Sequence, residues 1–235
     1  MLFVTTDIHG HFTVLKSALE AAGFDQDNPE HELLLLGDYF DRGEENREVL
    51  EFLLEMDKRN KGTFILGNHD LFLLEFLEGD DRSTKFNAVH NGFDQTLADL
   101  SGMPFDPDNL KTIRKRIEKR YPQLYDFIAT MPLYVEKKKY LFTHGGIDGR
   151  NPNWKTEDRK TFVWNYQSRL EPLPDKITVV GHERTAMIRM RQGHFNGLDY
   201  HENQLFEPIE TDKVIYLDAY VEFSKRLNVM RFDID

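Results

Sequence analysis

Four consecutive leucines at residues 33–36 stand between polar flanks and predict a strand buried on both faces, as inside a layered sheet. Residues 2–5 and 63–66 are apolar runs of similar length and predict two more strands. Between them the apolar positions recur with helical spacing. Residues 12–22, closed by Gly23, predict one helix, and residues 46–59 another, with Val49, Leu50, Leu53, Leu54 and Met56 along one stripe. Residues 71–77 open a third. This strand–helix alternation predicts a parallel sheet whose functional loops follow the carboxyl ends of the strands. Residues 79–130 differ, with mixed charge, several Pro and Gly breaks and helical stretches at 96–100, 110–121 and 124–129. We expect a helical insertion over about 80–130, within a single domain of residues 1–235. Strand-like runs follow at 133–136, 140–143, 177–180, 214–217 and 227–232, and the polar segment 148–175 is expected to loop over a site.

The segments after the apolar runs carry the chemistry. They read Asp7-Ile8-His9-Gly10, then Gly37-Asp38-Tyr39-Phe40-Asp41-Arg42-Gly43, Gly67-Asn68-His69-Asp70, His144-Gly145-Gly146 and Gly181-His182. One histidine in such a place is ordinarily a satisfied loop residue. Four of them (His9, His69, His144 and His182), each beside glycine or an Asx residue just after an apolar run, point instead to a metal site assembled from strand ends. Asp7, His9, Asp38, Asn68, His144 and His182 are more donors than one tetrahedral ion takes and suit two divalent ions sharing a carboxylate. Asp38 ends the most buried strand and is the expected shared ligand. Two ions about 3.5–4 Å apart activate water and stabilise in-line displacement at phosphorus.

Composition narrows the classes. Of 235 residues, 40% are hydrophobic and 12% aromatic, ample for a core and against disorder. The absence of cysteine excludes disulfides and thiolate ligands and fits a reducing, cytoplasmic setting. Asp7 and His9 interrupt the first apolar run too early for a secretory signal, and no run is long enough to span a membrane. The net charge of −11 argues against a nucleic-acid track, and the basic cluster 111–120 reads as a solvated helix face.

The first three blocks closely resemble the signatures of the PPP family, the metal-dependent serine/threonine protein phosphatases within the calcineurin-like metallophosphoesterases, of the bacterial and phage type, whose members are similar in size to this chain. His144-Gly145-Gly146 and Gly181-His182 are similar to its two later histidine blocks, and Leu217-Asp218 and Leu227-Asn228-Val229 to its closing strands. The resemblance implies an α/β fold, a four-layer α-β-β-α sandwich of two mixed sheets flanked by helices. It implies one metal on Asp7, His9 and Asp38 and a second on Asp38, Asn68, His144 and His182. It also implies His69 as the cationic general acid oriented by Asp41, and Arg42 as the bidentate phosphate clamp. Manganese is the expected ion, with an iron–zinc pair as the alternative.

The departures are informative. Thr6 replaces the glycine usual before the first Asp, and Trp164-Asn165-Tyr166 lacks the family's second phosphate-binding arginine, for which Arg169 or Arg159 are candidates. Arg184 stands where related nucleases carry a second histidine, which favours the PPP branch. Asn91-Gly92 with Thr96 is similar to a block of bacterial members, making Asn91 a candidate substrate contact. The leading expectation is hydrolysis of phosphoserine- or phosphothreonine-type monoesters by a hydroxide shared between the ions, on a phosphorylated protein or a small phosphoester. The alternative is symmetrical dinucleoside tetraphosphate hydrolysis, against which stands the retained Asp41. A catalytically silent metal-binding scaffold would have lost a ligand or the acid, and this chain keeps all of them.

Overall fold

Leu33 and Leu35 pack toward helices, whereas Leu34 and Leu36 pack toward a second sheet, which is why four leucines in a row are all buried. In the computed structural model, which describes residues 1–193 and 203–234, they belong to or follow β2 (Glu32–Leu35). β2 runs parallel to β1 (Leu2–Thr5) and β3 (Gly62–Phe64), and β9 (Met230–Phe232) closes the sheet antiparallel to β1, in the order β3-β2-β1-β9. The second sheet has the order β4-β5-β6-β8-β7. Its strands are β4 (Tyr134–Lys137), β5 (Tyr140–Thr143), β6 (Ile177–Val180), β7 (Ile209–Glu210) and β8 (Val214–Tyr216), with β5, β6 and β8 mutually parallel.

Alternation along each strand builds the layers. Leu2, Val4, Leu34, Leu36 and Ile65 meet Phe142, Val179, Ile215 and Leu217 in a core between the sheets. On the outer face of the first sheet, Phe3, Leu33 and Leu35 meet α1 (Phe12–Ala22), α2 (Asn46–Lys58) and α3 (Asn68–Glu78). On the outer face of the second, Val180, Val214 and Tyr216 pack with Ile188 of α9 (Thr185–Arg191), while Leu141 packs with Trp154 and Phe162 of α8 (Arg159–Val163). This is the expected four-layer α-β-β-α arrangement.

The segment after α3 carries four helices: α4 (Asp81–His90), α5 (Phe93–Ser101), α6 (Leu110–Arg120) and α7 (Leu124–Ala129). Phe93, Leu97, Ile113 and Ile117 join the core under α2 and α3.

Several boundaries differ from the sequence pattern for visible reasons. β3 ends at Phe64: the last ladder bond runs from Ile65 N–H to Leu35 O (2.9 Å), and the next N–H on that edge, Gly67, donates to Asp70 Oδ2 (2.9 Å) instead. β9 begins only at Met230. Before it, the Asn228 side chain bridges Phe206 O (2.7 Å) and Leu217 O (2.9 Å). α3 starts at Asn68, three residues before its first periodic leucine, so the polar block Asn68-His69-Asp70 forms its first turn. A short helix, α10 (Val221–Ser224), precedes β9.

Candidate active site

Each candidate side chain lies just past the carboxyl end of a parallel strand. Asp7 and His9 follow β1, Asp38, Asp41 and Arg42 follow β2, Asn68 and His69 follow β3, His144 follows β5 and His182 follows β6. Backbone pairing carries on past the strands, so the loops run side by side: Asp7 N–H to Gly37 O (3.0 Å), His9 N–H to Asp38 O (3.0 Å), and Gly181 N–H to His144 O (2.9 Å). Two bonds then stitch one sheet to the other. His144 Nδ1–H donates to Leu36 O (2.7 Å), and His182 N–H donates to Asp7 Oδ2 (3.0 Å).

This convergence bends the chain into unusual backbone. Asp7, His9, Asp38, Asp41, Arg42 and His182 all have left-handed φ, six of the ten non-glycine residues that do so among the described residues. Such backbone is costly for residues with a Cβ and collects at functional sites. Gly37 shows how tight the approach is. With φ +97, a Cβ there would lie 2.6 Å from Gly67 Cα and 2.8 Å from His144 Nδ1.

Asp70 holds this arrangement without facing the cluster. It is fully buried at the third position of α3, and its carboxylate accepts the N–H groups of Gly67, Asp38 and Tyr39, each at 2.9 Å. Asp70→Ala is expected to lower unfolding stability by about 3 kcal/mol or more, since three buried donors lose their acceptor at once. Urea denaturation of the metal-free protein checks this.

Donor atoms crowd one another in the cluster. His9 Nε2 lies 3.9 Å from Asp7 Oδ1 and 3.7 Å from Asp38 Oδ2; His144 Nε2 lies 3.0 Å from Asn68 Oδ1 and 3.3 Å from Asp38 Oδ1. Two groups, His9–Asp38–His69 and Asp38–His144–His182, each bring their ligand atoms within 4.8 Å of one another. Asp38 belongs to both. Burial holds His9, His144 and His182 below the ordinary imidazole range, His182 down to about 3, so these rings are neutral at pH 7. With Nδ1–H of His144 committed to Leu36, its Nε2 lone pair faces two oxygen acceptors and no donor. His182 Nε2 is buried with no hydrogen-bond partner among the described residues. Lone pairs aimed at one another in a buried space are what a cation would reconcile, so the residues fit a divalent metal.

The acids show the same imbalance. Burial, with the nearby carboxylates of Asp218 and Asp38, pushes Asp7 well above the usual carboxylate range, and burial pushes Asp218 up to about 7. Asp38 moves the other way: burial opposes its charge, but the surrounding imidazoles, His144 first, outweigh it and hold the group low. The raised acids contribute stability below pH 4 that is lost as pH rises toward 7. The lowered histidines contribute stability at neutral pH that is lost as pH falls from about 6.5 toward 3. A cation removes only the first penalty. Manganese is therefore expected to raise the melting temperature more at pH 7.5 than at pH 5.5, as scanning fluorimetry with and without chelator would show; a gain that shrinks with pH contradicts it.

Beside this cluster, His69 Nδ1 donates to Asp41 Oδ2 (2.7 Å), and Arg42 contacts three groups: His9 Nε2 (2.7 Å), His69 Nε2 (2.9 Å) and Glu222 Oε1 (3.0 Å). With Arg42 donating to it, His69 Nε2 is an acceptor. The ring is thus the neutral Nδ1–H tautomer here, not the cation expected from sequence. Asp41 is positioned by residues that the sequence reading left without roles. Thr96 Oγ1 donates to its Oδ1 (2.5 Å), while Thr96 Oγ1 and Asn46 Oδ1 both accept from its backbone N–H (2.9 Å each).

The cluster opens into a cleft of about 270 Å³. Asn91 lines it, bonded to Asn87 Oδ1 (2.7 Å), and Trp164 and Tyr166 form an aromatic wall against His182. Arg169 is exposed and lies outside the lining, as does Arg159. Two further guanidinia line this cleft: Arg184, which shares Glu222 Oε1 with Arg42, and Arg191, which pairs with Glu183. Neither Glu222 nor its pairing with Arg184 carried a sequence signal, because Arg42, Arg184 and Glu222 are far apart in the chain.

Comparison with known proteins agrees with the fold. Over 240 residues the chain is 25% identical to the Bacillus subtilis (strain 168) protein named bis(5'-nucleosyl)-tetraphosphatase PrpE [asymmetrical], covering 97% of this chain and 89% of that one. It is 27% identical over 198 residues to the symmetrical bis(5'-nucleosyl)-tetraphosphatase of Buchnera aphidicola subsp. Acyrthosiphon pisum (strain Tuc7), covering 84% of this chain and 58% of that one. The crystal structure of a cold-active protein tyrosine phosphatase superposes with a TM-score of 0.58 at 18% identity, covering 97% of this chain and 72% of that chain. The profile of the calcineurin-like phosphoesterases matches residues 2–216, nearly the whole of both sheets and every residue of the cluster, and the chain belongs to that family.

Proposed function

We propose that this phosphoesterase hydrolyses phosphomonoesters of the phosphoserine or phosphothreonine type. Asp7, His9 and Asp38 would hold one divalent cation, and Asp38, Asn68, His144 and His182 a second. We further propose that one domain, residues 1–235, carries the site, with the helices of about 80–130 as its insertion. The observation behind the metal assignment is the convergence of imidazole nitrogens and carboxylate oxygens on Asp38, with His144 Nε2 facing only oxygens and His182 Nε2 without a partner among the described residues. Bound cations at this place would supply Lewis-acid stabilisation of the phosphoryl oxygens and acidify water. Oxygen and imidazole donors suit manganese, and suit an iron–zinc pair as well.

The chain's own groups do the remaining work. Arg42 presents a planar guanidinium at the cleft and turns to the phosphoryl oxygens, which releases His69 Nε2. That nitrogen, once free of Arg42, takes up a proton from solvent and delivers it to the leaving oxygen, while Asp41 keeps Nδ1–H in place and stabilises the imidazolium. An alkoxide is a poor leaving group and needs such a proton; a phosphate leaving from an anhydride does not. The buried, doubly supported Asp41–His69 pair therefore favours monoesters.

The second reading is cleavage of a dinucleoside tetraphosphate, supported by the names of relatives at 25–27% identity and by Leu71, Leu73 and Leu74 after the His69 block. A panel of phosphoserine peptide, phosphothreonine peptide and diadenosine tetraphosphate, each with manganese, separates the two. Peptide dephosphorylation is the expected result, and turnover of the dinucleotide alone would overturn the monoester reading.

A further inference from the structure

Glu222 occupies an unusual position. Its Oε1 accepts from Arg42 Nη1 (3.0 Å) and from Arg184 Nη2, so one anionic oxygen bridges two guanidinia that line the cleft. The three side chains are 21–29% exposed, a setting in which charge-assisted bonds are worth more than at an open surface. The chain is held to present that carboxylate. Tyr220, just before α10, has left-handed backbone (φ +55), a costly conformation for an aromatic residue. Two contacts hold it there: Tyr220 N–H donates to Asp218 Oδ1 (2.7 Å), and the Arg184 guanidinium lies 3.8 Å over its ring. Arg184 in turn sits immediately before α9, two residues after His182.

We propose that Arg42 and Arg184 form one anion site, that Glu222 is its internal ligand, and that a phosphoryl group must displace the Glu222 carboxylate to be held by both guanidinia. The inference rests on the phosphoesterase reading above. A bridging carboxylate oxygen is the geometric counterpart of a phosphoryl oxygen held by two arginines. Glu222 has one negative charge, whereas a phosphomonoester has nearly two at neutral pH and more oxygens to share between the guanidinia. A phosphomonoester dianion thus competes well, while carboxylates and phosphodiesters, with a single charge, match the resident group without exceeding it. Glu222 acts here as a selectivity residue, and Arg184 as a substrate-positioning one that the sequence pattern had left to Arg169 or Arg159.

Inorganic phosphate is the probe. Its affinity for manganese-loaded protein is read twice, as competitive inhibition of p-nitrophenyl phosphate hydrolysis and as the thermal shift it causes. Glu222→Gln is expected to tighten phosphate by roughly five- to ten-fold and Arg184→Gln to weaken it by about ten-fold. KM should follow the same directions, with kcat changing by less than about three-fold. Glu222→Asp, which keeps the charge but draws it back from the guanidinia, should also tighten phosphate and serves if the glutamine variant folds poorly. Unchanged or weakened phosphate binding in both Glu222 variants overturns the proposal, as does unchanged binding in Arg184→Gln. Phosphate binding that shifts as expected in a protein turning over no phosphoester would instead sink the functional reading and leave the anion site standing.

Discussion

His69→Asn is expected to lower kcat on an alkyl phosphomonoester by roughly 10²–10⁴-fold, and on p-nitrophenyl phosphate far less. An alkoxide cannot depart without a proton, whereas nitrophenolate can. The contrast between the two substrates therefore isolates proton delivery from every other effect of the change. The position of His69 makes metal analysis part of the same experiment. Its Nε2 lies 3.9 Å from Asp38 Oδ2, and with His9 and Asp38 it forms one of the two donor groups. A general acid can be removed with both ions retained, while a ligand cannot. Equal losses on both substrates together with a lost ion would make His69 a ligand and remove it from acid catalysis. Asp41→Asn should show the same leaving-group dependence in weaker form, because an amide can hold Nδ1–H through its oxygen but cannot stabilise the imidazolium.

Asp38→Asn should carry the largest loss. Activity is expected to fall by at least about 10³-fold, since several kcal/mol of transition-state stabilisation leave with the metals. Bound manganese should fall from two ions per chain to one or none, by elemental analysis after dialysis. The substitution is a clean one. Asp38 has φ +57, a backbone that asparagine tolerates better than other side chains with a Cβ, and an amide oxygen can still accept the His69 N–H that Asp38 Oδ1 accepts at 2.9 Å. The metal-free variant should therefore fold as the parent does, which separates metal loss from unfolding. Retention of two ions would show that Asp38 is not shared, and would move the bridging position to another donor.

These two residues were legible early because the hydrophobic pattern located them. Runs of four apolar residues bounded by polar flanks read as strands of a sheet interior, and polar residues directly after several parallel strands gather at one end of the sheet. His9, Asp38, Asn68, His144 and His182 follow from that rule and from the donor chemistry of their side chains. The helix boundary at Asn68 was less legible, because its first turn is polar and buried against loops, so hydrophobic periodicity starts only at Leu71. Thr96 illustrates an intermediate case. Its block was noticed, but its bond to Asp41 spans 55 residues and depends on how α5 packs.

The amino-acid sequence by itself determined the parallel strand–helix opening and the strand ends that carry the donors, because these are set by local apolar spacing and side-chain chemistry, while the four-layer sandwich and the family were implied by the resemblance of the motif blocks. Tertiary structure alone decided that Asp70 gathers three backbone N–H groups and that His69 faces Arg42 as a neutral ring. It likewise decided that Arg184 lines the cleft, tied to a carboxylate 38 residues further on. Such contacts arise where loops from both sheets meet, and no periodicity within one segment encodes which side chain of another will reach it.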